Sequence, residues 1–214
     1  MQRIPRQPPP ADVLVAVLAG GAGTRLGGDK ATVELAGRPL ISYPLQAARA
    51  AGLEAIVVAK RTTPLPALTE QVVHEPEHPR HPLCGVLAAL RFATEDPGVD
   101  AQGSRSRAVA VITVACDMPF LTGPLLRWLA QRDGATIAEA GGRLEPMLAR
   151  HLTGDAASLS SGLEQGLSLR EACIGVGARV LPEAELRRFG DPARLLFNVN
   201  EAADLVAARR WLEA

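Results

Sequence analysis

Cysteine is scarce and unpaired: Cys84, Cys116 and Cys173 stand far apart, odd in number and with no CxxC spacing. Neither a disulfide framework nor a zinc knuckle is expected, and a reducing cytoplasm is the compartment this usage fits. Aromatic residues are only 3% of the 214, too few to suggest a stacking platform for single-stranded nucleic acid. Net charge is missing as well, since 23 basic residues balance 23 acidic ones. That argues against a nucleic-acid coat or a polybasic membrane anchor, while leaving room for a local basic patch serving a small phosphorylated ligand. No apolar run approaches the roughly 20 residues that span a bilayer. Residues 1–10 are polar and proline-rich with no apolar h-region, so they do not read as a secretory signal. The expectation is a mobile tail over residues 1–12 and one domain over 13–214, with no internal repeat and no membrane or nucleic-acid partner.

What the chain does have is a soluble-globular balance, 47% apolar and 21% charged. Residues 13–18 form a continuous β-branched apolar run that ends in Ala19, Gly20 and Gly21, the pattern of a strand buried on both faces and then a loop. Apolar residues then recur at helical spacing over 40–51, with Gly52 placed to end the helix. Strands follow at 55–59, 71–73 and 108–115, with a helix at 86–93 between the last two. This alternation predicts an α/β fold: a single-domain, three-layer, Rossmann-like architecture with a mostly parallel central sheet and helices on both faces. Residues 96–107 lack periodicity and read as an exposed, mobile loop. Thr122 and Pro124 open a helix to about residue 132. Residues 135–139 and 147–150 flank Gly141 and Gly142 as a hairpin-like pair, Ser168 and Glu171 form a capping box, and a last helix spans 202–213 with Asn200 as an N-cap candidate.

The richest segment is Leu18-Ala-Gly-Gly-Ala-Gly-Thr-Arg-Leu-Gly-Gly-Asp-Lys30. Glycines directly after a buried strand let backbone N–H groups approach a ligand, and consecutive N–H groups make an anion nest. The spacing fails both common phosphate loops. Asp29, not glycine, precedes Lys30, which excludes GxxxxGK[ST]; Leu26 stands where GxGxxG needs its last glycine, and the second strand ends at Lys60 without a ribose-binding acid. What remains is a loop with two cations, Arg25 and Lys30, suited to a triphosphate and a leaving pyrophosphate.

This LAGGxxxRxGxDK segment resembles the signature of the nucleotidyltransferase superfamily with a GT-A-like α/β fold, and in particular its molybdenum cofactor guanylyltransferase branch. Pro82-Leu-Cys-Gly85, Cys116-Asp-Met-Pro119, and Phe197-Asn-Val-Asn200 followed by Asp204-Leu205 are similar in order and spacing. The resemblance implies that Leu18, Ala19, Gly20, Gly21, Lys30 and Asp117 bind the nucleotide and that Arg25, Lys30 and Asp117 carry catalysis by charge stabilisation. It also implies Asp117 as the ligand of Mg²⁺, and Asn198 and Asn200 on the acceptor side. The implied reaction transfers GMP from GTP to the phosphate of the molybdenum-pterin cofactor, with transient contact with cofactor-delivery proteins or molybdoenzymes. Gly21 favours GTP, because the cytidine-using relatives read Leu-Ala-Ala-Gly. Three departures bear on the base: Glu75 and His74 stand near where the branch carries an aspartate, His81-Pro-Leu where it carries Gly-Pro-Leu, and Ala59 where it often carries an asparagine.

Read on its own residues, Asp117 ends an apolar strand at the carboxyl edge of the sheet, where one well-placed carboxylate recruits Mg²⁺ together with substrate phosphates. A phosphate nucleophile is already ionised near neutral pH, which accounts for the lack of a Ser/His/Asp arrangement. His74, His78 and His81 are separated by Pro76 and Pro79 and share no helix face, so a polar loop is favoured over a metal site. Cys116 and Cys173 read as small core residues. Two rivals stay open: a cytidylyltransferase or other NTP transferase acting on a small phosphorylated acceptor, and a nucleotide-binding module without turnover.

Overall fold

The computed structural model describes residues 12–21, 26, 30–95, 98–99, 105–106 and 108–213; all of the expected tail but Asp12, and most of the 96–107 loop, lie outside the described residues. A seven-stranded sheet forms the centre. In chain order its strands are β1 (Val13–Leu18), β2 (Ala55–Ala59), β3 (Gln71–His74), β4 (Ala110–Ala115), β5 (Thr136–Ala140), β6 (Arg143–Leu152) and β7 (Arg179–Leu181). Their spatial order is β7-β5-β6-β4-β1-β2-β3. The pairs β4–β1, β1–β2, β2–β3 and β5–β7 are parallel, and β6 alone runs antiparallel to both of its neighbours.

β1 is buried at every position because the sheet has helices on both faces. Val13, Val15 and Val17 point to one face with Leu45 and Ala48 of helix α1 (Ser42–Ala51) and Leu125, Leu126 and Leu129 of α3 (Gly123–Ala130). Leu14, Ala16 and Leu18 point to the other, against α2 (Pro82–Glu95), α4 (Ala156–Glu164) and α5 (Leu169–Gly175). The period of two along one strand thus feeds two cores and makes the third layer obligatory. A satellite cluster joins Leu35, Leu40, Phe120 and Val199 to Phe197, Leu205 and Trp211 of the C-terminal region.

The helix ends follow their residues. Gly52 adopts φ 72° after α1 and closes it with two backbone bonds. Thr122 accepts from Leu125 N–H, with Pro124 in the first turn, and Ser168 with Glu171 makes the full capping box. α1 starts at Ser42 rather than residue 40, because Leu40 and Ile41 are spent in the preceding turn. α2 starts four residues earlier than its apolar periodicity indicated: Pro82 has no N–H to leave unpaired and suits a first turn. Within the 96–107 stretch, Gly98–Val99 pairs antiparallel with Arg105–Ser106, a short ribbon that composition alone read as loop.

Candidate functional site

Three parallel strands stop together at one edge. Leu18 of β1 sits opposite Val58 of β2 and Ala115 of β4, and the bonds from Ala19 N–H to Val58 O and from Cys116 N–H to Leu18 O carry the pairing past the strand ends. Gly20, Lys60 and Asp117 therefore emerge at the same rim. A cavity of about 620 Å³ opens there, and Leu18, Gly20, Gly21, Lys30, Asp117, Asn198 and Asn200 all line it. Its position at the carboxyl ends of parallel strands is the usual ligand crevice of open α/β sheets. Ala19 is buried immediately beside it. Arg25 lies outside the described residues.

Lys30 is the centre of the charged group. Its Nζ donates to Asp117 Oδ2 at 2.5 Å and to Asn200 Oδ1 at 2.5 Å, joining three segments that are far apart in sequence. Asp117 is only 4% exposed. Val199 N–H donates to Asp117 O, and this one backbone bond docks the Asn198–Asn200 turn beside the end of β4. Asn200 does not cap the last helix (Ala202–Glu213) with its side chain: Asp204 Oδ2 accepts from the backbone N–H groups of Asn200 and Glu201, which leaves the carboxamide directed at Lys30.

Asn198 faces a residue that sequence reasoning missed. Its Nδ2 donates to Glu145 Oε2 at 3.1 Å and to Leu196 O at 3.0 Å. Glu145 Oε1 also accepts from Met147 N–H at 3.1 Å, where the register between β5 and β6 shifts. That irregularity turns the carboxylate into the cavity, a common effect of a bulge beside a site. Burial raises the Glu145 carboxyl above its ordinary value, opposed by the bonds from Met147 and Asn198 and reinforced by the charge of Asp117. Only an unusual Glu-Pro pair inside a strand hinted at it.

A second group stands where β2 and β3 end. Ala59 and His74 are paired, so the next residues, Lys60 and Glu75, lie side by side and form an ion pair at 3.2 Å. Lys60 Nζ also donates to Pro76 O at 2.6 Å. Burial raises the Glu75 carboxyl although the Lys60 charge opposes it. A β-carbon on Gly20 would lie 1.8 Å from Glu75 Oε1, and one on Gly85 3.2 Å from Oε2. The two glycines, from two separate motifs, leave the space this carboxylate fills. Of the histidines, His81 lines the cavity, and the described residues contain no group of three or more His, Cys, Asp or Glu side chains able to hold a metal. Cys116 and Cys173 are buried in the two cores, their thiols pushed up by burial, Cys173 to about 11.

A sheet of this order with charged groups gathered at its carboxyl edge is the architecture of an α/β nucleotidyltransferase. The family model of the MobA-like NTP transferase domain matches residues 15–174, and the chain belongs to that family. The molybdenum cofactor guanylyltransferase of Cereibacter sphaeroides is 33% identical over 92% of this chain and 95% of its own length. The molybdenum cofactor guanylyltransferase of Rhizobium rhizogenes is 29% identical over 96% and 94%. Among solved structures, molybdopterin-guanine dinucleotide biosynthesis protein A from Archaeoglobus fulgidus superposes with a TM-score of 0.72, at 24% identity over 94% of this chain and 98% of that one. The 2-C-methyl-D-erythritol 4-phosphate cytidylyltransferase of Thermus thermophilus superposes at 0.62, at 19% identity over 95% and 99%. Both structural matches speak to the fold. The protein is a nucleotidyltransferase. Among the described residues no helix is long and apolar enough to cross a membrane.

Proposed function

We propose that the protein transfers GMP from GTP to the phosphate of the molybdenum-pterin cofactor, in the cytoplasm, releasing pyrophosphate. The observation that carries this reading is the meeting of Lys30, Asp117 and Asn200 around one ammonium beside the Gly20–Gly21 turn. The names of the relatives from Cereibacter sphaeroides and Rhizobium rhizogenes support the choice of acceptor and base.

An oxygen of the acceptor phosphate attacks the α-phosphorus of GTP; a new P–O bond forms, the bond from that phosphorus to its bridging oxygen breaks, and pyrophosphate leaves with the electron pair. The nucleophile is already an anion, so no side chain must take a proton. The residues position the two phosphates and offset their charge. Gly20 and Gly21 let the backbone approach the nucleotide, Lys30 exchanges its present partners for phosphate oxygens, and Arg25 is assigned the departing pyrophosphate. Asn198 and Asn200 orient the acceptor, with Glu145 fixing the Asn198 carboxamide.

The donor set fits Mg²⁺. Asp117 offers a buried carboxylate and Asn200 a carboxamide oxygen beside the same ammonium, both hard ligands, which suits an ion completed by phosphates and water. When bound, Mg²⁺ supplies charge neutralisation of the phosphates undergoing substitution.

Titration calorimetry with Mg²⁺ and GTP, CTP, ATP or UTP tests the base assignment. GTP is expected to bind most tightly. A preference for CTP would replace this reading with cytidylyl transfer, and no binding of any of the four would remove it.

A further inference from the structure

The Lys30 ammonium already holds the partners that a metal ion at this rim would take. Its Nζ lies 2.5 Å from Asp117 Oδ2 and 2.5 Å from Asn200 Oδ1, the same two hard oxygens assigned above to Mg²⁺. The Lys30 side chain is 18% exposed and that of Asp117 6%, so water and salt screen the pair weakly, and parting it leaves a buried carboxylate without a counter-charge. The neighbouring acids are committed elsewhere. Glu75 pairs with Lys60, and Glu145 accepts from Met147 N–H and Asn198. Among the described residues, Asp117 is thus the carboxylate that Lys30 balances, charge for charge.

Two cations therefore compete for one negative charge. Resting on the metal assignment above, we propose that Lys30 is a resident counter-ion that closes the divalent-cation site of the free protein, so that metal enters at Asp117 only together with the nucleotide. A divalent ion arriving alone would add its double charge to that of the ammonium around a single carboxylate, a repulsion felt strongly at a poorly solvated rim. It would also have to give up water for oxygens that already accept hydrogen bonds, an exchange that Mg²⁺ makes reluctantly. The triphosphate removes both obstacles. Its oxygens take the ammonium, which releases Asp117 Oδ2 and Asn200 Oδ1, and its negative charge offsets Lys30 and the metal together.

The test is retention of Mn²⁺ by the full chain in ultrafiltration, with and without GTP, counting metal and nucleotide in the same sample. The wild type is expected to hold about one Mn²⁺ per bound GTP and to bind Mn²⁺ alone about tenfold or more weakly than with GTP. Lys30→Met should bind Mn²⁺ without nucleotide about tenfold or more tightly than the wild type does, and adding Asp117→Asn should abolish that gain. Lys30→Gln, which removes the charge but keeps a polar side chain, should behave alike and decides the matter should Lys30→Met fail to fold. In both single variants Mn²⁺ should raise the melting temperature at a concentration that leaves the wild type unmoved. Equal Mn²⁺ binding by the wild type with and without GTP, no gain in either Lys30 variant, or a gain that survives Asp117→Asn would overturn the counter-ion role. The variant measurements contain no nucleotide, so they read Lys30 apart from the guanylyl assignment; Mn²⁺ retained with CTP in preference to GTP would support the counter-ion role while removing that assignment.

Discussion

One wall of the cavity comes from the ends of β1, β2 and β3, parallel strands that stop in register; the other comes from Glu145, Met147, Asn198 and Asn200, on an irregular antiparallel strand and a turn held mostly by side-chain hydrogen bonds. On the first wall, Gly20, Lys60 and Glu75 take their places from ladders continued by Ala19 N–H to Val58 O and Glu75 N–H to Ala59 O. Backbone bonds repeated along a ladder tolerate loss of any one side chain. On the second wall, position depends on a chain of side-chain contacts, from Met147 N–H through Glu145 to Asn198. Removing one link there shifts the next, so the acceptor side should be the more easily disturbed of the two.

The largest expected effect is at the group both walls share. Asp117→Asn should cut transfer about a thousandfold while leaving the melting temperature nearly unchanged, since it removes charge but little volume; wild-type turnover in that variant would take Asp117 out of the mechanism. Next comes the buried foundation of the irregular strand. His151 of β6 is 1% exposed, faces Thr113 Oγ1 at 3.1 Å, and burial lowers its pKa from 6.5 to about 4. The unfolded chain takes up that proton below about pH 6.5 and the folded one only near pH 4. Stability should therefore fall by about 3 kcal/mol as pH drops through this window, and contribute nothing further above it. His151→Gln should flatten that slope in denaturant titrations at several pH values.

Lys30→Ala should weaken GTP binding and slow transfer by about a hundredfold, because it deprives both walls of their shared cation; unchanged affinity would count against the phosphate contact. The smallest effect separates the walls most cleanly. Glu145→Gln should raise the KM for the acceptor about tenfold through misplacement of Asn198, with GTP affinity untouched. A matching loss in GTP affinity would mean that the two walls do not act separately.

The same contrast explains what could be read in advance. The parallel core was legible because its strands are continuous apolar runs, as at Val13–Leu18 and Ala110–Ala115, and because turn and cap chemistry at Gly52, Thr122 and Ser168 is local. Lys30, Asp117, Asn198 and Asn200 were legible through motifs, and the structure brings them to one cavity. Lys60 was visible only as a strand-end residue and Glu75 only through the resemblance, and their pairing requires the register of Ala59 against His74. Glu145 had only the Glu-Pro pair to mark it, because a register shift in the middle of a strand decides which way it points, and no periodicity in the sequence encodes that shift. Asn200 carries two readings in the sequence, a helix cap and an acceptor-side residue, and the cap is ruled out because Asp204 takes the backbone N–H groups.

The most direct test of the account is a single-turnover reaction of GTP labelled at the α-phosphate with the molybdenum-pterin phosphate and Mg²⁺, separating the products and quantifying pyrophosphate. The account predicts label in a guanine–pterin dinucleotide, with one pyrophosphate released for each label transferred. Label that stays in GTP, or that enters the dinucleotide only when CTP replaces GTP, would contradict it.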